Sequence, residues 1–514
     1  MFNRRPWRMV GLLVLVAALP GCLTRSELAS QVSASRAAAF SAWRGTAPAE
    51  ETQQVLAGEL DLAAAVDIAL ANNKALRAAK QAREAARGQL WAAYSNALPR
   101  VELNGSYTRL DIAPSFSAPG LGSIPMGDNE NYAVAGSVTQ PIFRGGAIPA
   151  AIRGARILAV QSEEQVRGAV QNTIFLVARA YYDVLLAEQL AAVAEEAVAS
   201  AKAHLEDVQR KREHGVAANF DVLRAQTELS LSHAELIQRR NRVHVARSAL
   251  YKAMGISQQS DVRLTGQLEF RRIEPDFVKA VETAYAHRPD LAQAELEVRA
   301  QQEALQVVLG DYWPRIEARY SHVWAKPDPH DSTRISWGRH WEWGLTARLT
   351  LFDGLTREGK LIQTRAHLRR SQLQLVDTEE QAIFEIQRAI LNLKDAEEFV
   401  ESQRMNLQRA EESLRLAKVG YREGVNTEVE VIDARTAYTR ARSLYYQAVY
   451  DHIMAKLDLQ HAMGVMGPPF GSREVQPKGV VPGEMDIFPS DAPVPVPPPR
   501  PEVAPEVPAG TPAK

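Results

Sequence analysis

The chain has 514 residues, which is enough for several domains. Its 60 basic and 61 acidic residues nearly cancel, so nucleic acid is not indicated as a partner. The single cysteine excludes an internal disulfide framework and a cysteine-rich zinc site.

The N-terminus has the pattern of an export signal. A basic segment precedes an apolar run at 9–19, and a Leu-Pro-Gly-Cys motif ends at Cys22. This order resembles the lipobox of bacterial lipoproteins, in which the cysteine is acylated and becomes the first residue. We therefore expect a signal peptide at 1–21, a covalent lipid anchor on Cys22 and a lipid-anchored tether at 22–59. The alternative is an ordinary secretory signal with an incidental cysteine.

The rest of the sequence contains an internal repeat. The two copies share short motifs over about 190 residues, and most of the correspondence has a constant offset. The sequence predicts a first repeat at 60–255, an equatorial linker at 256–276 and a second repeat at 277–467. Matching motifs are Ala65-Val66-Asp67 with Ala280-Val281-Glu282, Gly215-Val216 with Gly424-Val425, and Ala253-Met254-Gly255 with Ala462-Met463-Gly464.

Each repeat predicts the same elements: a short helix, two strands, a long helix and a second short helix. Apolar residues recur at three- and four-residue steps through the longest helix, which predicts a seam facing a partner helix. A helix of this length extends for about 100 Å. The predicted helices are 62–97, 147–213 and 219–254, followed by 277–312, 355–423 and 428–463.

The strands of both repeats alternate between apolar and polar residues. Val101, Leu103 and Tyr107 alternate with polar residues, and tryptophans concentrate between 313 and 343. Alternation over about 9–11 residues with flanking aromatics is typical of transmembrane β-strands. Soluble hairpins with aromatic cross-strand pairs are the alternative.

Four strands cannot close a barrel, and an open sheet edge in lipid leaves unsatisfied backbone groups. Several copies must therefore pool their strands if these strands span a membrane. Three copies would give twelve, although the residues alone do not fix that number. Beyond the repeats, the segment 468–514 holds half of the 28 prolines, which predicts a disordered tail.

Taken together, these features resemble the TolC family of outer membrane efflux proteins, in its lipid-anchored branch. The strongest local motif is the segment 421–435, Tyr-Arg-Glu-Gly-Val-Asn-Thr-Glu-Val-Glu-Val-Ile-Asp-Ala-Arg. The resemblance implies a mainly α fold with a transmembrane β-barrel, in which a homotrimer forms a 12-stranded barrel and a long α-helical periplasmic barrel. It places the protein in the outer membrane of a Gram-negative bacterium, extending into the periplasm.

The resemblance also implies a channel gate beside the second turn. By position, the acids that ring the closed entrance are Glu430 and Asp433, three residues apart on one helix face. A ring of carboxylates attracts cations and repels anions. The alternative is that both are ordinary solvated acids at a helix start.

Side chains that cross between the two turns latch the closed state in this family. Tyr421 and Asp221 match two latch positions, and we expect a hydrogen bond between them. The chain has Asn426 where a basic residue is expected and Phe220 where a hydroxyl is expected. The adaptor-docking surfaces would be the turns, at Gly215 and Val216 and at Gly424 and Val425.

The sequence therefore predicts a passive outer-membrane duct that works with a periplasmic adaptor and an inner-membrane pump. It contains no motif of an enzyme and predicts no cofactor beyond the lipid. A type I secretion duct is one alternative. Another is a lipid-anchored coiled-coil scaffold without a pore that bridges the outer membrane and the cell wall.

Overall fold

The computed structural model describes residues 25–44, 55–118, 122–125, 127–331 and 334–467. The predicted signal peptide, Cys22 and the proline-rich tail lie outside these residues. The helices are α1 (Arg25–Arg44), α2 (Leu62–Asn72), α3 (Lys74–Ser95), α4 (Ala147–Glu213), α5 (Asn219–Met254), α6 (Phe277–His287), α7 (Pro289–Leu309), α8 (Thr356–Arg422) and α9 (Glu428–Ala462). The strands are β1 (Ala57–Leu60), β2 (Arg100–Arg109), β3 (Ser115–Ala118), β4 (Gly122–Pro125), β5 (Glu130–Arg144), β6 (Asp261–Leu264), β7 (Arg315–Lys326) and β8 (Gly338–Arg348).

Both long helices occur where the sequence predicts them, and each contains 67 residues. The predicted seam of α8 is buried at Ile386, Leu393 and Val400, which lie at seven-residue steps. Since a single helix cannot bury such a seam, α8 relies on its neighbours for stability. None of the helices in the described residues is long and apolar enough to cross a membrane.

The prediction of one short helix at 62–97 and one at 277–312 is wrong, because each is two helices. Asn73 has an extended backbone (ψ 123°), and its side chain accepts from the backbone N–H groups of Ala75 and Leu76 to start α3. Arg288 is also extended (ψ 120°) because it precedes Pro289, the first residue of α7. An N-cap residue in one repeat and a proline in the other thus interrupt the helix at the equivalent position.

The four predicted strands form one antiparallel sheet in the order β2-β5-β7-β8. One face is apolar: Val101 pairs with Val138, Val138 with Tyr320, and Tyr320 with Trp343. The next row lies on the opposite face and is polar. It consists of Glu102, Ser137, Ser321 and Glu342. We call these the apolar face and the polar face of the sheet.

Two small sheets were not predicted. β1, at the end of the predicted tether, pairs in parallel with β6 in the predicted linker. β3 and β4 form a hairpin in the loop between β2 and β5. Tyr181 connects the first of these sheets to α4. Its hydroxyl donates to Leu60 O (3.2 Å) in β1 and accepts from Gly266 N (3.0 Å), just after β6.

The helices lie side by side in an order that matches the sheet. Near the sheet, contacts run from α3 to α4, from α4 to α7 and from α7 to α8. Farther along the long helices, α5 contacts α4, α4 contacts α9 and α9 contacts α8. The two helical hairpins, α4–α5 and α8–α9, therefore meet through α4 and α9, with α5 and α8 on the outer sides.

Candidate channel entrance

The two hairpins end in turns that have the same backbone. Gly215 and Gly424 adopt left-handed φ angles of 78° and 75°. Val216 N donates to Lys211 O (2.9 Å), and Val425 N donates to Gly420 O (2.8 Å). A left-handed glycine with this bond across six residues is the Schellman ending of a helix. Glycine is needed at both positions because a side chain disfavours a positive φ.

The valines after these glycines are among the most exposed apolar side chains of the chain. Val216 is 77% exposed and Val425 is 80% exposed. Phe220, at the start of α5, is 70% exposed. Both turns thus expose apolar side chains at the end of the helices.

The acids at the two turns take part in equivalent helix caps. Asp221 Oδ2 accepts from Ala218 N (2.9 Å), and Glu430 Oε2 accepts from Thr427 N (2.8 Å). Each acid is the third residue of its helix, so its negative charge also lies at the positive end of the helix dipole. Of the two predicted gate acids, Glu430 therefore has a structural task as well.

Asp433 differs from Glu430. It is exposed on α9, and no hydrogen bond or ion pair to it occurs within the part of the chain that the structure describes. Its carboxylate is three residues, or nearly one turn, beyond that of Glu430 on the same side of the helix. Asp433 is thus free to interact with ions or with other copies of the chain.

The predicted hydrogen bond between Tyr421 and Asp221 does not form. Lys211 lies over the Tyr421 ring, with Nζ 4.0 Å from the ring centroid, and also pairs with Asp207 at 3.0 Å. Burial disfavours the Lys211 charge, but hydrogen bonds from its ammonium to Tyr421 and Asp207 outweigh this effect and raise its pKa. The prediction failed because the Asp221 carboxylate is turned back to cap its own helix.

Asn426 replaces the expected basic latch residue and packs within its own turn. A Cβ atom on Gly420 would lie 2.7 Å from Asn426 Cγ, so the amide occupies the space that a side chain there would take. Asn426 N also donates to Gly420 O at 3.1 Å. At the turns themselves, the side-chain charge that reaches from one hairpin to the other is therefore that of Lys211.

Comparison with known proteins identifies the family of this chain. The sequence model of the family described as "Outer membrane efflux protein" matches residues 65–256 and 280–465. The chain belongs to this family. Its two matched segments together span most of the described residues.

Members of the outer membrane efflux protein family with known names are distant in sequence. The chain is 21% identical to "Probable efflux pump outer membrane protein TtgC" of Pseudomonas putida, over 78% of this chain and 82% of TtgC. It is 22% identical to "Alkaline protease secretion protein AprF" of Pseudomonas aeruginosa, over 78% of this chain and 83% of AprF. The crystal structure of the CmeC outer membrane channel of Campylobacter jejuni superposes with a TM-score of 0.69, at 17% identity, over 79% of this chain and 85% of CmeC. The mainly helical fold is thus that of an outer membrane channel.

Sequence reasoning missed two polar contacts that join the hairpins near the turns, one between a histidine and a glutamate and one an arginine–glutamate ion pair. His204 Nε2 lies 3.1 Å from Glu428 Oε1, and Arg435 Nη1 lies 3.3 Å from Glu228 Oε1. The side chains of both pairs are mostly buried. His204 sits between Ala201 and Val208 in the buried seam of α4, and this polar residue in an apolar repeat was the available signal.

Proposed function

We propose that three copies of this outer membrane efflux protein form a passive channel. Substrates would pass from an inner-membrane pump and a periplasmic adaptor into the helical barrel. They would leave through the β-barrel that the three sheets form together. Each copy would supply one third of the channel wall and would need no catalytic site. Cys22 would carry a lipid that tethers each copy to the outer membrane.

The proposal rests mainly on the common order of the strands and helices. β2, α3 and α5 lie at one side of the chain, and β8 and α8 lie at the other. The free edges of the sheet and the free flanks of the helices thus fall on the same two sides. A second copy placed beside the first could continue both layers at once.

Backbone chemistry favours this continuation in the sheet. β2 and β8 each have only one neighbouring strand in the described residues. In lipid, an unpaired backbone group costs several kcal/mol, so β8 of one copy would pair with β2 of the next. Three copies give a closed 12-stranded barrel, within the range known for such barrels.

Apolar surface favours the same continuation in the helices. Leu231 and Ile237 of α5 are 68% and 69% exposed, and Phe384 and Leu391 of α8 are 56% and 55% exposed. These side chains lie on the two outer helices of the chain. Burying apolar surface of this kind contributes about 25 cal/mol per Å². A ring of three copies would cover both flanks and form the α-helical periplasmic barrel.

The two large repeats would then be equivalent wall segments. We propose domain limits of 60–255 and 277–467 for them, with the linker 256–276 at the equator. The segment 22–59 would be the tether and 468–514 a disordered tail.

At the far end of the helices, the turns would form the entrance. Glu430 and Asp433 of each copy would give a ring of carboxylates that favours cations. Tyr421 would help to hold the entrance closed through Lys211, while Asp221 would act by holding the start of α5. The exposed Val216 and Val425, placed by Gly215 and Gly424, would contact the adaptor.

The decisive experiment measures conductance and assembly together. Purified full-length protein should have the mass of a trimer in mild detergent and form ion-conducting pores in planar bilayers. In paired-cysteine variants, Leu103→Cys on β2 should crosslink between copies to one position in a β8 series: Trp341→Cys, Trp343→Cys or Leu345→Cys.

The matched control moves the β8 cysteine to an inner strand. Val134→Cys on β5 should give no link between copies, because β5 already has a neighbour on each side. A monomer that conducts no current would refute the channel. An assembled trimer without conductance would instead support the lipid-anchored scaffold.

The entrance is tested separately. Asp433→Asn should lower cation selectivity without weakening the protein. Glu430→Gln should lower it as well and should also remove a favourable negative charge from the start of α9, at a cost of about 0.3–1 kcal/mol, although the amide can still accept from Thr427 N. Cysteines at Val216 or Val425 should crosslink to the adaptor in cells. Unchanged selectivity in both acid variants would show that these acids do not control the entrance.

A protein-secretion duct is the second candidate, because AprF is named for the secretion of a protease. Deleting the gene and measuring both drug sensitivity and secreted protein would separate the two. Efflux predicts increased drug sensitivity with normal secretion.

A further inference from the structure

We propose that the apolar face of the sheet carries, at the end farthest from the helices, a binding site for the phosphate groups of a membrane glycolipid. This inference rests on the proposed function, because it requires the sheet to lie in the outer membrane. It concerns the outside of the barrel and is independent of transport through it.

The two ends of the sheet are defined by the chain. α3 leads into β2 at Arg100, and β5 and β8 end next to the starts of α4 and α8. The helices that connect directly to these strands thus all attach at one end, which we call the helix-proximal end. The loops after Arg109 and Lys326 lie at the other, the helix-distal end.

Three cations of the apolar face lie at the helix-distal end. Going outward, Arg339 is in the row of Val134 and Trp324, Lys326 is in the row of Tyr132, and Arg109 is opposite Glu130. Because paired residues of neighbouring strands point to the same face, all three belong to the apolar face.

These cations are poorly neutralised by the protein. Arg109 Nη1 lies 3.7 Å from Glu130 Oε1, and the Glu130 carboxylate also accepts from Tyr107 and Tyr132 at 3.5 and 3.3 Å. Lys326 Nζ lies 5.9 Å from the Tyr132 ring centroid. Arg339 is exposed and has no ion pair within the described residues. Among the described residues at this end of the face, the three cations are thus opposed by two carboxylates, Glu130 and Asp128, both close enough to act on Tyr132, which leaves a net positive charge.

Aromatic rings surround the charges. Tyr107 and Tyr132 are in contact (centroids 4.9 Å apart), and Trp337 follows at 6.3 Å from Tyr132. Trp324 and Trp341 are largely exposed on the same face. Aromatic side chains at this depth occupy the boundary between hydrocarbon and head groups. The cations beside them would thus lie at the level of the head groups.

The helix-proximal end of the same face is different. Its rows hold Val101, Val138 and Trp343, then Gln140, Ala318 and Leu345, and last Phe143, Ile316 and Ala347. These rows contain no charged residue. An ordinary head-group layer on both sides of a bilayer gives no reason for such a difference. A layer rich in phosphate on one side does, because arginine binds phosphate through paired hydrogen bonds.

The occupant is a lipid rather than a protein, since the cations continue directly into the apolar rows that would contact acyl chains. A phosphorylated glycolipid offers both parts, with its phosphates at the cations and its chains along Trp341, Leu103 and Val134. The exposed tryptophans then cover sugar or the start of the chains.

The test measures binding of lipid A, a phosphorylated glycolipid, to the full-length trimer in mild detergent. The variant Arg109→Gln/Lys326→Gln/Arg339→Gln should bind it on the order of 100-fold more weakly, because each cation near an anionic surface contributes about fivefold. Dephosphorylated lipid A should bind the variant and the wild type equally.

The matched control removes three arginines from the polar face. Arg100→Gln/Arg319→Gln/Arg348→Gln should bind lipid A as the wild type does, because these residues lie on the other side of the sheet. Equal binding by the first variant and the wild type would overturn the inference, as would an equal loss in the control. Conductance separates the two hypotheses: pores with unaltered lipid binding refute only the lipid site, whereas wild-type protein without pores refutes the channel.

Discussion

The two turns at the entrance share a backbone but differ in how they use side chains. In both, a left-handed glycine follows the long helix and an acid caps the next helix. Lys211 occupies the position in the first turn that Gly420 occupies in the second. The lysine reaches across to Tyr421, and the missing side chain at Gly420 leaves room for Asn426. The two turns thus share the hydrogen bonds of the backbone but differ in the side-chain contacts between hairpins.

The two halves also differ at the C-terminal ends of α5 and α9, far from the turns. Asn73 Nδ2 donates to Ala253 O (2.9 Å) in the first half, and Arg288 Nη1 donates to Ala462 O (2.9 Å) in the second. Both side chains bind the end of a helix that leads away from the turn. Arg288 also binds Asp290 and Glu385, so the second half has a charged cluster where the first has a single amide.

A large effect should come from this cluster. Arg288→Ala should lower the free energy of unfolding by about 3 kcal/mol, the lower end for a broken buried pair, because Asp290 and Glu385 are partly exposed. Asn73→Ala should cost only about 1–2 kcal/mol, since it removes one cap and one hydrogen bond. Denaturant unfolding of both variants measures the difference. Equal losses would show that the two contacts are equivalent in energy.

Alanine substitution should lower stability by different amounts at four glycines with positive φ. A Cβ on Gly255 would lie 2.8 Å from Asn72 O, and one on Gly464 would lie 2.8 Å from Arg288 N, whereas Gly215 and Gly424 have open space. Alanine at either turn should cost about 1–2 kcal/mol of backbone strain. Alanine at Gly255 or Gly464 should cost about 1–3 kcal/mol more, because the neighbouring backbone must also move. Similar losses at all four sites would contradict this reading of the contacts.

Much of the fold was predictable because its signals are periodic. The seam of α8 fixed its length to within one residue at each end, and the alternation from Val101 onward identified β2. The break at Asn73 was missed because a single asparagine within a helical pattern is a weak signal. The family resemblance predicted a contact between Asp221 and Tyr421, but which atoms meet depends on rotamers. Asp221 could cap its helix or reach Tyr421, and only the structure distinguishes these outcomes.

Conductance should distinguish the observed contact at the turns from the one that the sequence predicted. A cation over an aromatic ring contributes about 0.5–1 kcal/mol when exposed. Lys211→Met and Tyr421→Leu should therefore each raise the open fraction of single channels by about two- to fivefold, and the double variant should do no more. Asp221→Asn should combine additively with Tyr421→Leu. Additive effects of Lys211→Met and Tyr421→Leu would show that this contact does not hold the entrance.

A pH-dependent effect should come from a buried histidine that has no counterpart in the first half. His452 of α9 is 1% exposed, and its Nε2 lies 3.7 Å from Glu397 Oε1. Burial lowers its pKa below the ordinary 6.5; Lys456 acts in the same direction, and Glu397 opposes both. In the unfolded chain the imidazole takes up a proton as the pH falls through 6.5, while in the folded chain it does so only at lower pH. The folded state therefore loses stability on acidification.

The loss should amount to about 1.4 kcal/mol for each unit by which the pKa is depressed. His452→Gln should remove this part of the acid sensitivity, as measured by denaturant unfolding above and below pH 6.5. Glu397→Gln should increase it, because the amide can still accept from Ile273 N (2.9 Å) but no longer favours the imidazolium. Opposite changes in the two variants would assign the effect to this pair, and parallel changes would place its origin elsewhere.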